Sequence, residues 1–127
     1  WKSKVEDNAF LILKTKDSKV ASLHTSCTEW KNKFSFEIFG KKGKLEIDGL
    51  GGSYGKERLY FYKMSKNFGK PRLKIWNFSS NIDISWKEEL SDFINCIKFN
   101  KKVSCSLEDA YKNMKIIDNC YKKMHKL

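Results

Sequence analysis

The sequence predicts an α+β fold: an open-faced, mostly antiparallel sheet of about six strands, followed by two C-terminal helices on one face. Two observations carry that prediction. Through residues 9–78 apolar residues alternate with a period of two, in short runs cut by Gly, Asn, Asp and one Pro. From Ser85 onward the period becomes helical. Strands first and helices last is the α+β order.

Strands are predicted at residues 9–15, 19–28, 33–40, 44–48, 57–64 and 72–78. Asp17-Ser18 supplies the first hairpin turn, and residues 67–71, ending at Pro71, a later one. Between the third and fourth strands, Gly40-Lys41-Lys42-Gly43 makes a tight turn, in which glycine is expected to take the positive-φ positions. Residues 48–55, DGLGGSYG, are too glycine-rich for regular structure. Ser85-Trp86-Lys87-Glu88 has the capping-box spacing that starts a helix, and Ser106-Leu107-Glu108-Asp109 is a similar start. Trp86, Leu90, Phe93, Ile94 and Ile97 then fall on one helical face, with Trp86 expected as a core anchor.

Several strands are apolar on both faces. Ala9, Leu11 and Leu13 oppose Phe10 and Ile12; Leu59 and Phe61 oppose Tyr60, Tyr62 and Met64; Leu73 and Ile75 oppose Trp76 and Phe78. A half-solvated antiparallel sheet alternates apolar with polar. Two helices cover one face only, so the other face requires a second partner.

The length of 127 residues fits a single domain spanning 1–127, and no repeat or linker divides it. No apolar run reaches the ~20 residues of a membrane span, and the opening WKSKVEDN is no signal peptide. Cys27, Cys96, Cys105 and Cys120 form no C-x-x-C pair and have no histidine ligand set, so buried free thiols in a reducing cytosol are expected rather than disulfides or zinc. The net charge of +11 raises the question of nucleic acid. Yet 24 of the 26 cations are lysines, scattered along the chain, and a solvated surface is the expectation.

The glycines of GLGGSYG resemble a phosphate-binding spacing, but the third glycine and the following helix are missing; a structural turn is expected, with Tyr54 at its tip free to reach a ligand or a neighbouring subunit. His24 lacks a carboxylate partner in the sequence and reads as a hydrogen-bonded sheet histidine; His125 falls in the last helical turn. Glu29-Trp30-Lys31 is the strongest small-ligand candidate, because an aromatic ring beside a lysine stacks a sugar and meets a phosphate or carboxylate. The alternative is a strand-end Trp packing on the sheet. No triad, paired-carboxylate site or metal cluster emerges.

Three segments carry a resemblance: VEDNAFLIL at 5–13, KFSFEIFGKKGKLEIDGLGGSYGKERL at 33–59 and ISWKEELSDF at 84–93. Together they resemble the C-terminal domain of the Gfo/Idh/MocA oxidoreductases, over nearly the whole chain. That family implies NAD- or NADP-dependent sugar and polyol dehydrogenases with an N-terminal Rossmann domain. It also implies a C-terminal sheet with helices on one side and a subunit contact on the other. The GGSYGxERL type resembles members associated with surface-sugar biosynthesis. The family's G-x-G-x-x-G turn, its E-K-P lysine and its active-site Asp and His all precede the region matched here, so no catalytic or cofactor-binding residue is carried over. The chain is expected to be the rear part of such an enzyme, cytoplasmic, inactive alone and binding no cofactor itself. It would wall the substrate cleft of a sugar, polyol or nucleotide-sugar dehydrogenase and form a homodimer, or a higher homo-oligomer, through its sheet. Glu29, Trp30, Lys31 and Tyr54 are the expected substrate contacts. Two rival readings are a free-standing interaction module and a single-stranded nucleic-acid binder stacking bases on Tyr60, Tyr62 and Trp76.

Overall fold

The computed structural model describes residues 5–67, 69–78 and 83–124. The chain divides into two compact units, residues 1–81 and 82–127. The first holds every strand. β1 (Asn8–Lys14) and β2 (Val20–Ser26) form an antiparallel hairpin. β3 (Ser35–Gly40), β4 (Gly43–Asp48), β5 (Arg58–Lys63) and β6 (Arg72–Asn77) form an antiparallel meander in the order β3-β4-β5-β6. All six predicted strands are present and antiparallel. They lie in two hydrogen-bonded sheets, of two and four strands, rather than in one. The cause is the segment 27–34. The Cys27 N–H still reaches the Asp7 carbonyl at 2.8 Å, after which the chain bends at Trp30 and Lys31 and enters β3 without pairing to β2.

The first turn follows its residues. Thr15 accepts from the Ser18 N–H at 3.1 Å, and Ser18 takes a φ of 65°. This is a hydrogen-bonded turn that ends on a left-handed residue, an arrangement that suits a hairpin. Asp17 is fixed by the Lys19 ammonium at 2.7 Å and by the Thr15 hydroxyl, and these bonds lower its carboxyl pKa. The β3–β4 turn differs from expectation: neither Gly40 nor Gly43 has positive φ. Gly43 is required by space instead, because a Cβ there would overlap the Tyr62 carbonyl of the neighbouring strand.

Register assigns the faces of the meander. Ile38 pairs with Leu45, Leu45 with Phe61, and Ile47 with Leu59, which in turn pairs with Trp76. With Phe36 opposite Ile47, these side chains share one almost wholly apolar face. The other face carries Glu37, Phe39, Lys44, Glu46, Tyr60, Tyr62, Leu73 and Ile75. Lys44 sits at its centre: its ammonium donates to Glu37 and, at 2.9 Å, to Glu46, and lies 5.4 Å from the Tyr62 ring. Those hydrogen bonds push the Lys44 pKa up to about 12. Trp76 therefore lies on the face opposite Tyr60 and Tyr62, and the three do not form one stacking platform.

The second unit holds α1 (Ser85–Lys98) and α2 (Leu107–Met124). The capping of α1 departs from the predicted box. Ser85 is already helical, and the Asp83 carboxylate accepts the Ser85 N–H at 2.9 Å, which lowers the Asp83 pKa. At the second start the predicted exchange is present: the Asp109 N–H donates to the Ser106 hydroxyl at 3.2 Å, and the Ser106 N–H donates to the Asp109 carboxylate at 3.1 Å. α1 ends where Asn100 takes a φ of 49° and the Lys101 N–H returns to the Cys96 carbonyl at 2.9 Å. Cys96 is buried, Cys120 half-buried, and Cys27 and Cys105 are exposed, so the four free thiols are not all interior as expected. Trp86 is 79% exposed instead of anchoring a core, and lines an open cavity with Leu90, Phe93 and Val103. His125 lies outside the described residues.

Candidate functional site

A cleft of about 700 Å³ in the strand unit is lined by the β2–β3 connection on one side and the glycine loop with the start of β5 on the other. That size suits a small organic ligand. Glu29, Trp30, Lys31 and Tyr54, the four residues singled out from sequence, all line it. They come from two segments more than twenty residues apart, and the fold brings them together.

The glycine loop is built to present Tyr54. Gly49, Gly51, Gly52 and Gly55 take φ of 82°, 55°, 70° and 96°, a run that only glycine adopts without strain. The Gly51 N–H donates to the Glu57 carboxylate at 2.7 Å, the Tyr54 N–H to the Leu50 carbonyl at 3.3 Å, and the Gly49 N–H to the Phe34 carbonyl at 3.2 Å. The last bond ties the loop to the opposite wall of the cleft. A strand follows the loop, so it has none of the helix N-terminus that a dinucleotide turn offers a pyrophosphate.

Trp30 does not pack on the sheet. Its relative exposure is 104%, so its own unit gives the indole no apolar cover. His24 is not a plain sheet histidine either. Its ring stacks on Phe10 with centroids 4.1 Å apart, and Nδ1 stands 3.7 Å from the Glu29 carboxylate. A smaller recess of about 260 Å³ beside the cleft is lined by His24, Ser26, Glu29, Lys31 and Tyr54. The carboxylate partner of His24 is thus Glu29, five residues along the chain. A β-strand followed by a bend gave no periodic signal for that pairing.

Sequence reasoning also missed Lys33, Lys56, Asp48 and Arg58, which line the same cleft. Their signal was adjacency: Lys33 is two residues from Lys31, while Lys56 and Arg58 close the glycine loop. Asp48 and Arg58 face each other in register across β4 and β5. The Arg58 guanidinium donates to the Tyr60 hydroxyl at 3.1 Å, which with the nearby Asp48 raises its pKa. Among the described residues no group of three or more His, Cys, Asp or Glu side chains could hold a metal. The arrangement is one for binding: an exposed indole, a phenol and cations around a concave surface, with the His24 imidazole in the adjoining recess.

The family model described as the oxidoreductase family, C-terminal alpha/beta domain, matches residues 2–126. The chain belongs to that Gfo/Idh/MocA family. Comparison with curated proteins and comparison with solved structures each give no match. Members of this family are generally NAD(P)-dependent, and this domain normally accompanies an N-terminal Rossmann domain. Among the described residues no helix is long and apolar enough to cross a membrane.

Proposed function

We propose that this oxidoreductase domain forms one wall of the substrate cleft of a cytoplasmic NAD(P)-dependent dehydrogenase acting on a sugar, polyol or nucleotide-sugar. The observation that carries the reading is the convergence of Glu29, Trp30, Lys31 and Tyr54 on one cleft. Trp30 offers a flat apolar surface to the carbon face of a sugar ring, and the polar groups around it take the hydroxyls. A Rossmann domain paired with this one would hold the nicotinamide, so that hydride passes between it and a substrate carbon held against this wall.

Dimerisation through the sheet belongs to the same reading, and register favours one face for it. The Phe36/Ile38/Leu45/Ile47/Leu59/Phe61 face has the composition of a core. The Tyr60/Tyr62 face carries the aromatics that interfaces favour, and its charged residues Glu37, Lys44 and Glu46 are already paired with one another. That acidic content also opposes stacked nucleic acid on the same tyrosines.

Calorimetric titration of this chain with NADH and with NADPH should give no binding, because among the described residues the glycine loop leads into a strand and not into a helix. Micromolar affinity for either would overturn the division of labour proposed.

A further inference from the structure

We propose that His24 is a positioning residue for Glu29: once protonated, its imidazole draws the Glu29 carboxylate out of the cleft and into the adjoining recess, so that this wall binds its ligand more weakly as pH falls. The inference rests on the substrate-wall reading and adds a control of that same site by pH.

Glu29 borders both concavities. It lines the cleft with Trp30 and the recess with His24, whereas His24 lines the recess alone. The two side chains differ in how they are held. His24 lies in β2 directly opposite Phe10 of β1, and the rings stack with centroids 4.1 Å apart and an interplanar angle of 7°. Glu29 lies in the irregular segment after β2, open to solvent. The imidazole is therefore the fixed member of the pair and the carboxylate the movable one. Nδ1 stands 3.7 Å from the Glu29 carboxylate, beyond the ~3.2 Å of a hydrogen bond but within reach of an ion pair. A neutral imidazole leaves the carboxylate free to accept from the hydroxyls of a ring lying on Trp30. An imidazolium adds a charge-assisted bond on the recess side and takes that acceptor away from the cleft. Histidine is the residue type whose charge ordinarily changes between about pH 5 and pH 8. The other charged groups facing His24 are Lys31 and Lys33 on the recess wall, with Cys27 and Tyr54 beside them. From β1 the nearest residues on this face are Asn8, Phe10 and Ile12, none of them charged. Lysine keeps its charge throughout that range, so the charge of the recess turns on the histidine.

The test is nuclear magnetic resonance of the full chain across about pH 5 to pH 8, following the His24 imidazole and the Glu29 carboxylate carbon. Glucose, sorbitol and uridine diphosphate glucose serve as ligand probes, with binding read from the amide shifts of the cleft. The Glu29 carbon should shift at the His24 midpoint, and that step should vanish in H24Q. Binding of any probe that W30A abolishes should weaken roughly two- to fivefold from the high-pH to the low-pH end in wild type, the worth of an ion pair open to solvent. H24Q should bind throughout as wild type does at high pH, and H24K, which is always charged, as wild type does at low pH. His24 and Trp30 are exposed, so the variants should keep their fold, which the amide spectrum checks. A histidine with a merely structural role gives equal losses in H24Q and H24K and leaves the pH slope in place. That result overturns the inference, as does a Glu29 carbon that ignores the His24 midpoint. In either case a probe that still requires Trp30 leaves the substrate wall standing. If no probe binds in a manner that depends on Trp30, the substrate wall falls and the inference falls with it.

Discussion

Replacing Gly49 with Ala tests whether the glycine loop is held in one conformation. Gly49 has a φ of 82°, and a Cβ added there would lie 2.5 Å from the Lys56 carbonyl oxygen and 2.8 Å from its carbon. The left-handed backbone alone costs an alanine roughly 1–2 kcal/mol. The overlap involves backbone on the far side of the loop, so relieving it means shifting residues 55–56 and loosening the bond from Gly49 to Phe34; strain of this kind adds about 1–3 kcal/mol. Gly52→Ala separates the two effects. Gly52 has a φ of 70°, yet a Cβ there meets nothing within 4 Å, so only the backbone cost remains. For a chain of this length 1 kcal/mol moves the melting temperature by roughly 3–6 °C. G52A should therefore melt about 3–12 °C below wild type, and G49A about 3–18 °C below G52A, by differential scanning calorimetry. Equal losses, or a larger loss in G52A, would refute the claim that the loop is fixed against Lys56.

Other consequences are equally direct. Tyr60→Lys with Tyr62→Lys should yield a folded monomer by light scattering, whereas Leu59→Lys with Phe61→Lys should unfold the domain; a wild type that is monomeric at tens of micromolar would remove the dimer. Lys44 titrates at about 12 against an ordinary 10.5, so its contribution is complete below 10.5 and is lost as pH rises through about 12. The melting difference between wild type and Lys44→Met should hold steady up to pH 10.5 and shrink above it; a pH-independent difference would mean that the Glu37 and Glu46 bonds do not stabilise the sheet.

Much of this fold was readable because it depends on local pattern. Period-two alternation located all six strands, and Ser106 with Asp109 three residues later marked the start of α2. The break between the two sheets was not readable, since alternation places a strand but does not name its neighbour. The start of α1 was misread by one residue, because Ser85 and Glu88 have the spacing of a box while Asp83 also reaches the Ser85 N–H. Gly40 and Gly43 were assigned positive φ from the look of the turn, when the constraint on Gly43 is the Tyr62 carbonyl of the next strand. At the site, Trp30 and Tyr54 stood out as large aromatics in irregular segments. Lys33 and Lys56 did not, because in a chain with 24 lysines no single one carries information until its neighbours in space are known.

The account stands or falls on whether the cleft contacts the substrate and not the cofactor. The deciding measurement is steady-state kinetics of the enzyme that joins this domain to its nucleotide-binding partner, comparing wild type with Trp30→Ala. Loss of a stacking contact of about 1–2 kcal/mol should raise KM for the sugar substrate roughly 5- to 30-fold and leave KM for NAD(P) within about twofold. An unchanged sugar KM, or a shift confined to the cofactor, would contradict it.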